Sequence, residues 1–242
     1  MPYYFRHQVT PYIILFIERD GSTYLTSLLN SHPDIEAIYE RFSVLKQKGA
    51  DSAEQLEWAR AFYSPSLISK TKARGFKTKL VDVLDLDSFT ALLHEKQVRV
   101  IQMRRRNRVK AVVSRINARR LYEATGNWNL YDKNDRMPPM LVDLAQFADY
   151  LHEREAADDE LQGYVDQLQL PVLKIVYEDL LTDKTSTLEK IFSFLKIPNK
   201  AVQEKTIKNT SDDLREVVLN FDELRAHYAG TPYLDQFDEV LV

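Results

Sequence analysis

The chain predicts an α/β fold, a three-layer sandwich with a central parallel sheet and a P-loop-like strand–loop–helix phosphate site, and three observations carry that prediction. Short apolar runs rich in β-branched residues alternate with amphipathic helical stretches, the pattern of a parallel sheet covered on both faces. The first run, Tyr12–Ile17, stops at the polar turn Glu18-Arg19-Asp20-Gly21. Ser22-Thr23 then open an apolar-periodic helix that ends near Asn30, before Pro33. Strand, tight glycine turn and helix N-terminus together turn backbone N–H groups and a helix dipole toward an anion.

The remaining elements follow in order. Ser52–Phe62 reads as a short amphipathic helix and Gly75–Leu80 as a second strand. Val98–Met103 is a third strand, followed by a helix from about Arg108 to Leu121. A turn-rich insertion, Thr125–Pro139, carries Gly126, Trp128 and the Pro138-Pro139 pair. Leu141 to about Leu168 has helical periodicity, Val172–Tyr177 is a fourth strand, and Thr187–Leu195 is helical with Thr182, Asp183 and Ser186 as caps. Ligands of such sheets gather beyond the carboxyl ends of the strands, where the loops after Ile17 and Met103 lie.

Composition excludes several classes. With 242 residues, 44% hydrophobic, one domain spanning 1–242 with insertions is expected. The absence of cysteine removes disulfides, thiol nucleophiles and thiolate metal sites. The histidines at 7, 32, 94, 152 and 227 show no ligand spacing, so no metal is expected. No run is long enough to span a bilayer, and Met1–Thr10 lacks the apolar core of a signal peptide, so a cytoplasmic protein is expected. Oligomeric state leaves no mark in the sequence.

Two constellations bear chemistry. The opening turn is not a nucleotide-triphosphate loop, because Gly21 stands alone and the cation, Arg19, precedes it. The second is the stretch Arg104-Arg105-Arg106-Asn107-Arg108-Val109-Lys110. From Arg99 to Arg120 there are nine Lys or Arg and no acid. Without interleaved aromatics, and in a chain of net charge −3, nucleic acid is not the expected partner. Guanidinium groups bind phosphate bidentately, so a small polyanion suits the stretch better. Arg106 at the strand-to-helix turn and Ser114 two helical turns on reach one anion only if the helix runs across it.

These residues resemble the sulfotransferase family. Arg19-Asp20-Gly21-Ser22-Thr23-Tyr24 is similar to its 5′-phosphosulfate loop, roughly P-[KR]-S-G-T-T/S. Arg106 to Ser114 looks like its 3′-phosphate motif, R-N-P-x-D-x-A-x-S, with the same separation of Arg and Ser. Val172–Leu180 is similar to its strand-plus-Y-E-D-L element, and a helix ending in F-L-x-I-P follows at Phe194–Pro198. The three stand in family order from Tyr12 to Pro198. Glu18 replaces the usual Pro, Asp20 the usual Ser and Arg108 the second motif's Pro, placing the chain nearer the bacterial and carbohydrate-type branches. An acid at Asp20 is expected to face the cradle and weaken anion binding unless a cation pairs with it.

The resemblance implies sulfuryl transfer from 3′-phosphoadenosine 5′-phosphosulfate (PAPS) to a hydroxyl or amine of a small-molecule or carbohydrate acceptor, with the 3′,5′-bisphosphate PAP as product. It implies that the backbone of Asp20–Thr23 and the Ser22 and Thr23 hydroxyls hold the 5′-phosphate, Arg19 the leaving oxygen, and Arg106 and Ser114 the 3′-phosphate. It puts Glu40 first as base, with Glu36 and His32 in reserve, and Lys77 near the sulfuryl group. Lys208, Asn209 and Thr210 fall where relatives place a loop over the adenosine. Tyr177-Glu178-Asp179-Leu180 reads as structural, its acids serving turns and caps. The region around 122–170 is left as the acceptor-selecting part. The rivals are a P-loop-like ATP-dependent kinase, which the missing Gly-x-x-x-x-Gly-Lys loop disfavours, and a non-catalytic anion-binding module, which Glu18 and Asp20 would suit.

Overall fold

A computed structural model of the chain describes residues 9–64, 71–204 and 210–241. Five strands form one parallel sheet: β1 (Thr10–Leu15), β2 (Ile35–Ile38), β3 (Ala73–Thr78), β4 (Arg99–Arg104) and β5 (Val172–Val176). Their spatial order is β2-β3-β1-β4-β5, and every pairing is parallel. The helices are α1 (Ser22–Asn30), α2 (Arg41–Gln47), α3 (Ser52–Tyr63), α4 (Leu86–Glu95), α5 (Arg108–Thr125), α6 (Leu144–Gln167), α7 (Tyr177–Thr182), α8 (Lys184–Phe194), α9 (Phe221–His227) and α10 (Leu234–Asp238).

The period-2 geometry of a strand sends alternate residues of β1 into two different cores. Tyr12 and Ile14 join Leu25, Leu28 and Leu29 of α1 and Leu188, Ile191 and Phe192 of α8. Ile13 and Leu15 join Phe42 of α2, Leu56 of α3, Phe89 and Leu92 of α4, and Leu161 and Val165 of α6. Both faces are therefore covered, and the sandwich has the three layers that the apolar runs predict. A third apolar cluster lies off the sheet, where Val109, Val113 and Ile116 of α5 meet Phe147 of α6, Leu224 of α9 and Phe237 of α10.

β1 leaves the sheet toward α1 on one face, whereas the α4 and α6 that follow its neighbours β3 and β4 pack on the other. The loop after β1 thus opens at a topological switch point, where α/β sheets bind ligands.

Boundaries differ from expectation in instructive ways. β1 ends at Leu15, not Ile17, because Ile17 opens the turn that Asp20 closes and Phe16 has already left the ladder. β3 runs Ala73–Thr78 rather than Gly75–Leu80, and Leu80 starts a short 3-10 turn. Tyr177 is the first residue of α7, not the last of β5. The four-residue edge strand β2, Ile35-Glu36-Ala37-Ile38, has no apolar run to announce it. Among the described residues no helix is long and apolar enough to cross a membrane.

Candidate active site

The loop after β1 is a closed turn. Ile17 O accepts from Asp20 N at 3.2 Å, and Ile17 N donates to Asp20 Oδ2 at 3.0 Å. Arg19 inside this turn has φ +69° and Gly21 after it φ +80°, both left-handed. Gly21 also meets a neighbour: a Cβ there would lie 2.2 Å from Cδ2 of Tyr177. Glycine is therefore required at this position for two independent reasons.

The loop delivers an open helix end. Gly21 gives α1 no side-chain cap, and among the described residues the amides of Gly21, Ser22, Thr23 and Tyr24 have no acceptor; Leu25 N, on Gly21 O at 3.1 Å, is the first satisfied. The start of α5 is the opposite. Glu178 accepts from Arg106 N at 2.9 Å and Asn107 N at 3.1 Å, Gln236 from Arg108 N at 2.7 Å, and Asn107 caps Lys110 N at 2.8 Å. An anion is thus favoured at the open N-terminus of α1, where bare N–H groups and the helix dipole act together. Asp20 N is engaged by Ile17 O, so among the described residues the run of free amides begins at Gly21.

Lys77 stands beside that open end. It lies on β3, inside the sheet, and its side chain is 1% exposed. Its ammonium is 2.8 Å from Thr23 Oγ1, 3.2 Å from Ser22 Oγ and 3.0 Å from Glu40 Oε1, and it sits 4.8 Å from the Phe16 ring centroid. Burial pushes Lys77 below the ordinary lysine range, and the adjoining Glu40 carboxylate opposes this. Glu40, at the N-terminus of α2, also faces Lys79 at 3.7 Å. The two reserve bases lie elsewhere: Glu36 is held by Arg74 at 2.7 Å, and buried His32 bonds Pro198 O at 3.1 Å.

On the other side of the loop, Arg19 Nε donates to Ser114 Oγ at 2.9 Å, and Arg19 Nη1 reaches Trp128 O at 3.4 Å. Burial, with the nearby Arg105 cation, lowers Arg19 to about 10, so it stays charged at neutral pH. Ser114 is buried on α5, whereas Arg106 is 61% exposed and pairs with Asp179 at 3.3 Å. The structure therefore brings Arg19 to Ser114 directly and leaves the Arg106 guanidinium on the surface beside Asp179. Thr210 Oγ1 accepts from Asn117 Nδ2 of α5 at 3.3 Å, while Lys208 and Asn209 lie outside the described residues.

The two unexpected acids do not face the cradle. Asp20 is fully buried and turned inward onto Arg154 of α6, and Glu18 is held by Arg115 of α5 at 2.7 Å. Burial pushes the Asp20 carboxyl up to about 6 even though Arg154 draws it down. An acid raised on folding adds stability only while protonated, so that contribution is lost as pH rises through about 6. At neutral pH Asp20 is charged against its burial and depends on Arg154.

A cleft of about 230 Å³ opens between the ends of β1 and β3 and helices α5 and α6. Its walls include Phe16, Ile17, Leu80, Val81, Val112 and Leu161, and its charged groups include Lys79, Glu18, Arg115 and Glu153. Arg115 bridges Glu18 and Glu153, each at 2.7 Å, and lies 4.0 Å from the Tyr150 ring. Trp128, 53% exposed, stacks on Tyr122 at 4.3 Å next to Arg19.

Sequence reasoning does not mark Arg154 at all, names Arg105 only as one of the basic stretch and reads Tyr177 as structural, although all three touch this loop. Asp20 signals that a buried cation is needed, but its partner is 134 positions away and nothing local marks it.

Comparison with known proteins places these residues in context. A sulfotransferase domain model matches residues 10–220. Nodulation protein H of Rhizobium tropici is 30% identical over 246 residues, covering 94% of this chain and 93% of that protein. Nodulation protein H of Rhizobium meliloti is 28% identical over 239 residues, covering 94% and 95%. A crystal structure of a sulfotransferase from Alicyclobacillus acidocaldarius shares the fold, with a TM-score of 0.53 at 16% identity over 95% of this chain and 94% of that one.

Proposed function

The chain belongs to the sulfotransferase domain family and is a sulfotransferase, and we propose that it draws its sulfuryl group from PAPS by in-line displacement. The observation that carries this reading is the open N-terminus of α1, on which Ser22, Thr23 and the buried Lys77 converge with Glu40 one ion pair further on. These residues fit a 5′-phosphosulfate: bare amides and a cation face it, and both acids of the loop are turned away onto Arg154 and Arg115.

The roles follow from position. The amides of Gly21–Tyr24 and the hydroxyls of Ser22 and Thr23 hold the 5′-phosphate. Bound there, the donor supplies an activated sulfuryl group whose departure leaves charge on a phosphate oxygen. Lys77 and Arg19 flank the loop and stabilise that charge, the kind of preorganised electrostatics that dominates such reactions. Ser114, together with Arg106 once it leaves Asp179, would hold the 3′-phosphate, and Thr210, bonded to Asn117 of α5, would belong to the loop over the adenosine. Glu40 takes the proton of the acceptor hydroxyl as its oxygen bonds to sulfur.

The acceptor enters by the cleft. Lys79 belongs both to its wall and to the Glu40 pair, so the cleft opens beside the base. α6 supplies Tyr150, Glu153, Arg154, Ala157 and Leu161 to it, which fits an acceptor-selecting role for the 122–170 region. Apolar walls with a polar mouth suit a small molecule or sugar that carries an apolar part. Sulfur-labelled donor offered with octyl and methyl β-D-glucoside tests both levels. Transfer to the octyl glycoside at a KM at least about tenfold lower is expected, since burying about two of its added methylenes, at about 0.8 kcal/mol each, already supplies that factor. Equal KM values would refute the cleft assignment alone, whereas no transfer to any hydroxyl acceptor would refute the reaction.

A further inference from the structure

We propose that Arg154 is the positioning residue of the phosphate loop: from α6 it holds the left-handed turn in which Arg19 sits, and through that turn it aims the amides of Gly21–Tyr24. The inference rests on the reading of that loop as the donor cradle. The guanidinium is 5% exposed and has three partners: Asp20 Oδ1, Asp158 Oδ1 at 3.2 Å and the Glu18 carbonyl oxygen at 3.2 Å. The first and last are the two polar groups that bracket Arg19.

The turn needs such a holder. Arg19 is a bulky side chain at φ +69°, a conformation that persists in non-glycine residues only where the surroundings over-determine it. Two arginines do so here. Arg154 grips the carbonyl before Arg19, and Arg105 Nη1 donates to the carbonyl of Arg19 itself at 3.3 Å. Asp20 adds the third constraint by closing onto Ile17 N at 3.0 Å while its other oxygen is fixed by Arg154. Asp20 and Arg154 are therefore one unit. The serine that the resemblance leads one to expect at position 20 would need no buried cation.

The same geometry says which change should be tolerated. Removing Arg154 alone strands the buried Asp20 carboxylate, and stranding one member of a buried pair is far more damaging than replacing both. Asp158 is not stranded, because Arg108 Nε holds it at 2.7 Å. The Asp20→Ser/Arg154→Met double variant thus leaves no orphaned charge, although the Glu18 carbonyl loses its guanidinium donor.

The experiment compares wild type, Arg154→Met, the double variant, and Val165→Ala, a core truncation on the same helix. Two readouts are taken: hydrogen exchange of the peptide covering residues 16–25 in the free protein, and the dissociation constant for PAP by calorimetry. Arg154→Met is expected to accelerate exchange in that peptide and to weaken PAP about tenfold or more, one decade per 1.4 kcal/mol. The double variant should recover only part of each loss, because the stranded carboxylate is gone while the grip on the Glu18 carbonyl is not restored, and Val165→Ala should lower thermal stability without moving either. Unchanged loop exchange in a folded Arg154→Met, or equal effects from Val165→Ala, would overturn the proposal. If instead exchange responds as expected while wild type binds no PAP, the positioning role stands and the donor reading falls.

Discussion

Glu40→Gln is expected to lower turnover by about 10²–10⁴-fold, the usual contribution of a positioned general base, while PAP affinity changes by less than about threefold. The split follows from geometry. Glu40 touches the donor cradle only through Lys77, at 3.0 Å, and glutamine keeps an oxygen there to accept from the ammonium. In the proposed reading donor binding draws on the α1 amides and on Ser22, Thr23 and Arg19, which the change leaves in place. The side chain is 33% exposed, between the cleft and two lysines, so it can receive a proton and release it to solvent. Measuring kcat with labelled donor and the PAP dissociation constant on the same preparation separates the two effects. Full turnover in Glu40→Gln would remove it as the base, and a large loss of PAP affinity would make it a donor ligand instead.

Gly21→Ala is expected to cost about a hundredfold in PAP affinity, equivalent to about 2.7 kcal/mol, together with a fall in melting temperature. Alanine at φ +80° is strained by roughly 1–2 kcal/mol, and its Cβ would meet the Tyr177 ring at 2.2 Å and 2.5 Å. The ring cannot retreat freely, because Arg105 lies 5.1 Å from its centroid and the next residue, Glu178, holds the first amides of α5. Relief of the clash therefore disturbs the open start of α1 and, through Glu178, the capped start of α5. Gly21→Ala/Tyr177→Leu separates the causes: if the close approach dominates, it recovers part of the affinity, and the remainder is the backbone cost. An unchanged melting temperature and PAP affinity in the single variant would contradict the close approach of Gly21 to Tyr177.

How much of this was legible beforehand depended on range. The opening strand, turn and helix could be read locally, since a β-branched run and a lone glycine before Ser-Thr obey rules of near neighbours. The error at Phe16 and Ile17 has a local cause as well. Both are apolar, yet the Ile17 backbone closes the turn with Asp20, while the Phe16 ring lies under the Lys77 ammonium and both side chains line the cleft, so apolar character does not mean ladder here. The resemblance singles out Ser114 by its spacing from Arg106, but its observed partner is Arg19, 95 positions away. The pairing of Glu40 with Lys77 and of Asp20 with Arg154 joins elements that only the sheet order and the packing of α6 bring together. The resemblance therefore marks Asp20 as odd without revealing that it points inward.

The most direct test of the account is the preference of the wild-type protein for the 3′-phosphate, measured by calorimetry with PAP against AMP at fixed ionic strength. A cradle flanked by Ser114, Arg19 and Arg106 predicts that PAP binds about tenfold to a hundredfold more tightly than AMP, the worth of one to two charge-assisted hydrogen bonds, and that Arg106→Ala reduces this advantage. Equal affinities for PAP and AMP, or a preference for ATP with magnesium, would contradict it.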